Sequence, residues 1–501
     1  MTYLLAHDLG TSADKAVLYS EDGKLVYSCA RSYGLKVENS NWCEQNADDW
    51  WNAVIEVTRE VTEKFDAKDI AVVSFSGQMM GALCVDDKGE PLYNSLIWAD
   101  MRSSEQEKFL KSQIDMWDFY QITGHRISSS YSGLKIMWMR DNAPDIYNKT
   151  YKVLNSKDYI LLKLTGNFVT DYTDAAGTTL WDLKAHKWSD DLIRLAGLDG
   201  SKLPEALPST AVAGKVTAEA ARLTGLLEGT PVVCGGGDGV CAAIGTGCIR
   251  PGIAHSCMGT SSWIALTAEE PLSDKTMKNN TWPHIVPGYY LPCGSMQCGG
   301  GAFKWAAGEL FGHEIAVDGE TGDKYATVTK AARESGIGAN GLMFLPYLIG
   351  ERSPRWNPNA KGVYMGLTLE HSRGDMIRAA MEGVALNLGC ILKSMTDCGC
   401  RLDSLVAVGG GAKNPLWRQI FADVYNVKIE KPDYTDEATS MGAAVTGGVG
   451  IGMFKSFDIL DRFFRIEDVT EPIAENHEKY AKLLPLFDEL YERLEPMFDK
   501  I

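Results

Sequence analysis

Asp8-Leu-Gly10-Thr11-Ser12-Ala-Asp-Lys15 and Met258-Gly259-Thr260-Ser261-Ser262 present the same chemistry in the two halves of the 501-residue chain. A Gly-Thr-Ser turn offers backbone N–H groups and hydroxyls to phosphate oxygens, and its glycine lacks the Cβ that would hold a ligand off. Asp8 ahead of the first copy can take Mg2+ directly or through its waters, and Lys15 behind it adds a positive charge. Two such turns point to two related half-molecules, each holding one end of a polyphosphate. Either turn alone would equally make a tight hairpin.

Cys234-Gly235-Gly236-Gly237-Asp238-Gly239 puts a carboxylate at the end of an expected strand, among glycines that let a substrate approach the backbone. An acid there can accept the proton of an attacking hydroxyl as an O–P bond forms; the alternative is that Asp238 caps the following helix. Val406-Ala-Val-Gly409-Gly410-Gly411-Ala-Lys-Asn414 is a further strand-to-glycine turn, where a flat adenine can lie on the backbone and the Asn414 amide can bond the nucleotide, unless the segment is only a tight connection. Gly299-Gly300-Gly301-Ala-Phe-Lys-Trp305 resembles another nucleotide wall, with Trp305 either covering a ligand or lying in the core. Gln78, Asp100 and Arg102 end expected strands and suit a small hydroxylated molecule, with Trp98 as a stacking face. Asp100 and Arg102 can equally pair with each other.

Other nucleotide motifs fail on their spacing. Gly-x-Gly-x-x-Gly is broken at Val240 or Ala242 in the registers starting at Gly235 and Gly237, and no Gly-x-x-x-x-Gly-Lys-Ser/Thr occurs. The formal charge of −17, from 66 acidic and 49 basic residues, argues against nucleic acid and anionic membrane as partners. The 12 cysteines are irregularly spaced, many in apolar or glycine-rich stretches, which fits reduced, buried thiols; Cys398-Gly-Cys400 lacks companions for a zinc set. A start without a basic segment, and the lack of any apolar run of about 18 residues, make a cytoplasmic location the expectation.

Placing these groups requires strands at 3–8, 16–20 and 25–33, a helix after Asn46, and a buried strand at 70–76. The second half begins comparably, with a strand at 231–234 and a small-residue helix at 240–247. A helix at 375–398, a strand at 404–408, a helix at 415–425 and an amphipathic helix from Glu475 follow. The length exceeds the roughly 250–300 residues of a single core, and without a low-complexity linker the halves should share a cleft and move as hinged lobes.

In this order the pieces resemble the FGGY carbohydrate kinase family. Ser130-Tyr-Ser132-Gly-Leu-Lys135-Ile-Met-Trp138-Met-Arg-Asp141-Asn142 looks like its first signature, and Gly362-Val-Tyr-Met-Gly366-Leu through Glu382-Gly383 like its second. The resemblance implies an α/β, two-lobed actin-like and hexokinase-like (ribonuclease H-like) fold with mixed sheets and an interlobe cleft. Residues 1–245 would form the sugar-binding lobe with the first phosphate loop, and 246–501 the ATP-binding lobe with the second loop and the terminal helix. Asp158-Tyr159, Thr170-Asp171, Asp174-Ala175-Ala176-Gly177-Thr178 and Glu351-Arg352-Ser353-Pro354 are most similar to the family's xylulokinases. Carried over, Asp238 is the catalytic base and Asp8 the acid near Mg2+. Thr11, Ser12 and Lys15 form the first phosphate loop, Gly259 and Thr260 the second. Gly300, Trp305, Gly410, Gly411 and Asn414 bind ATP, and Met79 and Met80 contact the sugar.

The implied reaction is ATP-dependent phosphorylation of a sugar hydroxyl, foremost D-xylulose to D-xylulose 5-phosphate, in a homodimer. Met79-Met80, Asp238-Gly239 and Trp98-Ala99-Asp100 replace the Met-His, Asp-Asn and Trp-Asn-Asp common in xylulokinases, and each change removes a polar side chain from the sugar face. Another ketose, a deoxysugar or a polyol is therefore the alternative acceptor. A nucleotide-dependent actin-like binding protein without an acceptor is the alternative of a different class.

Overall fold

The computed structural model describes residues 1–39, 41–433, 437–463 and 465–501. Strands β1 (Tyr3–Leu9), β2 (Ala13–Ser20) and β3 (Leu25–Ser32) form an antiparallel meander. Helix α1 (Ala47–Thr62) begins where the Asn46 side chain accepts the Asp48 N–H, and it buries Trp50, Trp51, Val54, Val57 and Val61. Strand β4 (Ile70–Gly77) then returns parallel to β1. Helices α2 (Ser132–Asn142) and α3 (Ser156–Thr165) follow, and β5 (Val212–Lys215) and β6 (Pro231–Gly237) complete a sheet in the order β5-β6-β4-β1-β2-β3.

Helix α4 (Asp238–Gly245) leads into the second half. Its strands are β7 (Gly252–Met258), β8 (Ser262–Leu266), β9 (Asn280–Pro283) and β10 (Tyr290–Met296). Helices α5 (Gly300–Thr321) and α6 (Arg373–Asp397) precede β11 (Leu402–Val408), α7 (Pro415–Tyr425) and β12 (Lys428–Pro432). Helix α8 (Ala438–Gly450), strand β13 (Ile466–Thr470) and helix α9 (Ala474–Phe498) end the chain. The second sheet runs β9-β10-β8-β7-β11-β12-β13. Both sheets place an antiparallel meander beside parallel strands, β1 with β4 and β7 with β11, so the halves repeat one plan. Helix α9 buries Tyr480, Phe487 and Tyr491 and packs on α6 and α7. No described helix is long and apolar enough to cross a membrane, and all 12 cysteines are free thiols.

Two of the boundaries that differ from the sequence expectation have a clear physical reason. Strand β2 starts at Ala13 because Asp14 finds a polar partner inside, its Oδ2 lying 2.9 Å from His7 Nδ1, while Lys15 sits opposite Asp8. Strand β6 continues through the glycine run because Gly236 and Gly237 pair with Ser76 and Gly77. A Cβ on Gly235 would lie 1.8 Å from the Phe75 carbonyl oxygen. Asp238 is thereby the first residue of α4, at the very end of the strand.

The halves meet where α4 crosses α8. A Cβ on Gly245 would lie 1.8 Å from the Ala438 carbonyl oxygen, and one on Gly442 would lie 1.9 Å from that of Cys241. Backbone touches backbone there, so no neighbouring side chain can move aside. Gly442→Ala is expected to lower unfolding stability by about 1–3 kcal/mol through overpacking, read by denaturant titration; an unchanged midpoint would refute so tight a crossing.

Candidate active site

The first Gly-Thr-Ser turn is tied down from several sides. The Gly10 N–H donates to Ala13 O at 3.0 Å, and the Tyr33 hydroxyl donates to Gly10 O. Gln45 Nε2 donates to Thr11 O at 2.7 Å, and Trp98 Nε1 donates to Thr11 Oγ1 at 3.0 Å. Ser12 stays exposed. Lys15 Nζ donates to Glu437 Oε2 at 2.9 Å, an acid just ahead of α8, and Ser440 Oγ donates to the same oxygen at 3.1 Å. The expected phosphate lysine is thus oriented by the other end of the chain.

The second turn is built on the start of α5. Gly300 N donates to Gly259 O at 2.8 Å and Gly301 N to Thr260 O at 2.9 Å. A Cβ on Gly299 would meet Ser262 Oγ at 2.0 Å, so the glycines are what let helix and turn touch. Lys304 Nζ reaches Thr260 Oγ1 at 3.5 Å. The third glycine turn closes on the same place, since Cβ atoms on Gly409 and Gly411 would meet Met258 at 3.0 and 2.9 Å. Thr260, Gly410 and Trp305 are exposed around this junction. Trp305 is a wall residue rather than a core one, 44% exposed and stacked on Phe344 with centroids 6.2 Å apart. The Asn414 amide, expected to meet the nucleotide, is occupied instead. Its Oδ1 accepts the Leu416 and Trp417 N–H groups as the cap of α7, and its Nδ2 donates to Thr329 Oγ1 at 2.9 Å.

Two carboxylates stand at the strand ends. Asp238 does not cap α4, whose cap is Gly237; its Oδ1 accepts the Gly239 N–H, at 2.7 Å. Burial pushes its carboxyl up to about 6, against the pull of that N–H. Asp8 accepts from Ser76 Oγ at 3.2 Å. Burial, and then the charge of Asp238, push it up to about 7, with Lys15 and Ser76 opposing. A raised Asp8 carboxyl that feels the charge of Asp238 marks a place short of positive charge, and its hard oxygens fit Mg2+. No group of three or more His, Cys, Asp or Glu among the described residues could hold an ion.

The strand end bearing Asp238 has its own support. Gly237 N donates to Thr173 Oγ1 at 2.8 Å, which donates to Asp171 Oδ2 at 2.7 Å. Asp171 belongs to a buried cluster in which Lys157 Nζ lies 2.8 Å from Asp158, 3.1 Å from Asp171 and 3.1 Å from Asp174.

On the acceptor side, Met79 packs over that strand end, its Sδ lying 2.3 Å from where a Gly237 Cβ would be. Met80 is half-buried in the left-handed region, φ 63°, and its carbonyl accepts from the buried Lys135 Nζ at 2.9 Å. Gln78 is buried, with Nε2 donating to Gln45 Oε1 at 2.7 Å. Trp98 is half-buried, and the Arg352 guanidinium lies over its ring at 5.5 Å.

Asp100 and Arg102 stand apart from this group. Arg102 Nε and Nη2 grip Asp100 at 2.9 and 2.7 Å, Nη2 also reaches Glu44 at 2.9 Å, and the guanidinium lies over the rings of Trp42 and Trp138. Both side chains are fully buried, so the pairing alternative is the one realised, and the expectation of acceptor contacts for these two is corrected. Sequence reasoning missed Gln45, Thr173, Lys304 and Glu437 and gave Arg352 no role. Only Lys304, inside the Gly300–Trp305 motif, carried a local signal.

Comparison with known proteins identifies the family. Residues 3–245 match the N-terminal domain, and 254–451 the C-terminal domain, of the FGGY family of carbohydrate kinases. The chain is 32% identical to a gluconokinase of Bacillus licheniformis, covering 100% of this chain and 98% of that protein. It is equally 32% identical to a xylulose kinase of Bacillus subtilis, covering 98% and 97%. Among solved structures, a ligand-bound xylulose kinase from Lactobacillus acidophilus superposes with a TM-score of 0.93 at 29% identity, covering 100% of both chains. A gluconate kinase from the same organism also gives 0.93, at 28% identity, covering 100% of this chain and 99% of that one.

Proposed function

The chain belongs to the FGGY family of carbohydrate kinases, and on that premise we propose that it transfers the γ-phosphoryl group of ATP to the terminal hydroxyl of a small open-chain sugar derivative, with Asp238 as the base. The observation that carries this is the pair of raised carboxyls, Asp8 and Asp238, with Lys15 opposite Asp8 on the strand that follows the first Gly-Thr-Ser turn. The hydroxyl proton passes to Asp238 as the new O–P bond forms and the bond from the γ-phosphorus to the ADP oxygen breaks. Mg2+, held beside Asp8 through phosphates and waters, would supply charge neutralisation for the phosphates. Thr11, Ser12, Lys15, Gly259 and Thr260 orient the phosphates, while Gly300, Trp305, Gly410 and Gly411 wall the nucleotide.

The phrases around Asp158, Asp171, Asp174 and Glu351 favour D-xylulose as acceptor, giving D-xylulose 5-phosphate. Gluconokinases at the same identity make D-gluconate the second reading. The division into lobes 1–245 and 246–501, a homodimer and a cytoplasmic location belong to the same proposal. A screen of ketopentoses, deoxysugars, polyols and aldonates for acceptor-dependent ADP release with MgATP tests it. At least one acceptor is expected to raise ADP release 100-fold or more; ADP release indifferent to every acceptor would sink it.

A further inference from the structure

Strand β6 ends in three glycines, so Asp238, which follows them, hangs on a segment with no side chains to anchor it. The run has no room to acquire them. Gly235 has φ 69° and its Cβ would strike the Phe75 carbonyl oxygen, one on Gly236 would lie 2.9 Å from Ile285, and one on Gly237 would strike Met79. The pairing with β4 is irregular as well, its register shifting between Val233 and Gly236. Glycine loses more conformational freedom on ordering than any other residue, so the place of this carboxyl has to be fixed from outside the strand.

Two clamps do this, and they share one carboxylate. Gly235 N donates to Ser209 O at 3.0 Å, and Gly237 N donates to Thr173 Oγ1 at 2.8 Å. The hydroxyls of both clamping residues then donate to the same oxygen, Asp171 Oδ2, each at 2.7 Å, and the Thr173 backbone N–H joins them at 2.9 Å. A threonine hydroxyl has one proton and two lone pairs. With the proton given to Asp171, a lone pair is turned to the Gly237 N–H, so the carboxylate sets the direction of the bond that holds the strand end. Asp171 is itself held by Lys157 Nζ, 3.1 Å from Oδ1, and Val169–Asp171 pairs in parallel with Glu205–Leu207, which brings Ser209 alongside. Lys157, Asp171 and Thr173 are fully buried, so bulk water does not compete for these bonds. Resting on the reading of Asp238 as the base, we infer that Thr173 and Ser209, gathered by Asp171, are positioning residues that set where the Asp238 carboxyl stands relative to the acceptor hydroxyl. The open glycine run lets the acceptor approach the backbone, and the clamps supply the rigidity that the run lacks.

Thr173→Val keeps the outline of the side chain and removes the acceptor, Thr173→Ser keeps the hydroxyl, and Ser209→Ala removes only the second donor to Asp171. Hydrogen–deuterium exchange of the peptide carrying residues 234–238 is measured for the ligand-free wild type and the three variants. Steady-state ADP release is measured with MgATP and the best acceptor of the screen above, for each variant with Asp238 and with Asp238→Asn. Exchange at 234–238 is expected to quicken at least tenfold in Thr173→Val, less in Ser209→Ala, and to stay within twofold of wild type in Thr173→Ser. The kcat of Thr173→Val should fall about 10–100-fold, the scale for misplacing a reacting group by about 1 Å, with the KM for ATP within twofold and the rate restored by serine. Beside Asp238→Asn the same substitution should cost less than twofold, because a residue that acts only through the base has nothing left to position. Unchanged exchange, a Thr173→Val loss that multiplies in full with that of Asp238→Asn, or a rise in the KM for ATP in place of the kcat loss would overturn the assignment. Asp238→Asn alone separates the two readings: undiminished turnover there removes the base and with it the group to be positioned, whereas lost turnover there beside a normal kcat in Thr173→Val removes only the clamps.

Discussion

Asp238→Asn is expected to lower acceptor-dependent ADP release by about 10²–10⁴-fold, the range for losing a positioned general base, with the acceptor and ATP still bound. The substitution keeps the shape of the side chain and the oxygen that receives the Gly239 N–H, and it removes a charge that burial disfavours. The fold therefore has no reason to weaken, and lost turnover would report on proton transfer. The same residue sets a pH signature. With its carboxyl near 6, the wild-type kcat/KM should climb as pH rises through about 6 and flatten above it, because only the ionised form accepts a proton. Asp8, near 7 without ligand, is coupled to Asp238, so the climb is shared by the pair over that interval. The variant should lose both the turnover and the part of the climb due to Asp238. Undiminished turnover, or an unchanged acid limb in whatever activity remains, would remove Asp238 from the base role.

The parts of this site that were legible in the sequence are those made within a few residues: the two Gly-Thr-Ser turns, the glycine-flanked Asp238 and the Asn46-capped helix. Such features depend on backbone freedom and short-range hydrogen bonds, which residue order alone specifies. The parts that were hidden are meetings between distant segments. Lys15 faces Glu437, 422 positions away. Gly237 leans on Thr173, and Arg352 lies over Trp98. Asp100 and Arg102 show why orientation cannot be read locally. Their spacing suits either a ligand or each other, and the choice was made by Glu44, Trp42 and Trp138, which bury and neutralise Arg102. The glycine run 235–237 misled in a similar way: glycine usually signals a turn, but here it is required by close contact with β4 and prolongs a strand.

Asp8→Asn is expected to move stability and activity in opposite directions. In the unfolded chain the carboxyl titrates near its ordinary 3.8, while in the ligand-free fold it titrates near 7 because burial and Asp238 disfavour the charge. Between those values the folded protein holds a proton that the unfolded chain has lost, so raising the pH through this window favours unfolding. The wild type pays this penalty in full above about pH 7 and not at all below about pH 4, where both states are protonated. Asparagine removes it, so the ligand-free variant should be more stable than wild type by about 1–3 kcal/mol near pH 8, the linkage value reduced for solvent screening. The difference should vanish toward pH 4. Turnover should fall by about 100-fold or more, since the variant loses the carboxylate that fits a cation beside the phosphates. Added MgATP should then reverse the order of stability, because a cation restores the ionised Asp8 in the wild type and finds no such charge in the variant. Denaturant titrations at the two pH values, with and without MgATP, decide the matter. A ligand-free variant less stable than wild type at pH 8, or an equal stabilisation of both proteins by MgATP, would show that Asp8 is not the charge-frustrated group that prepares this cleft for a cation.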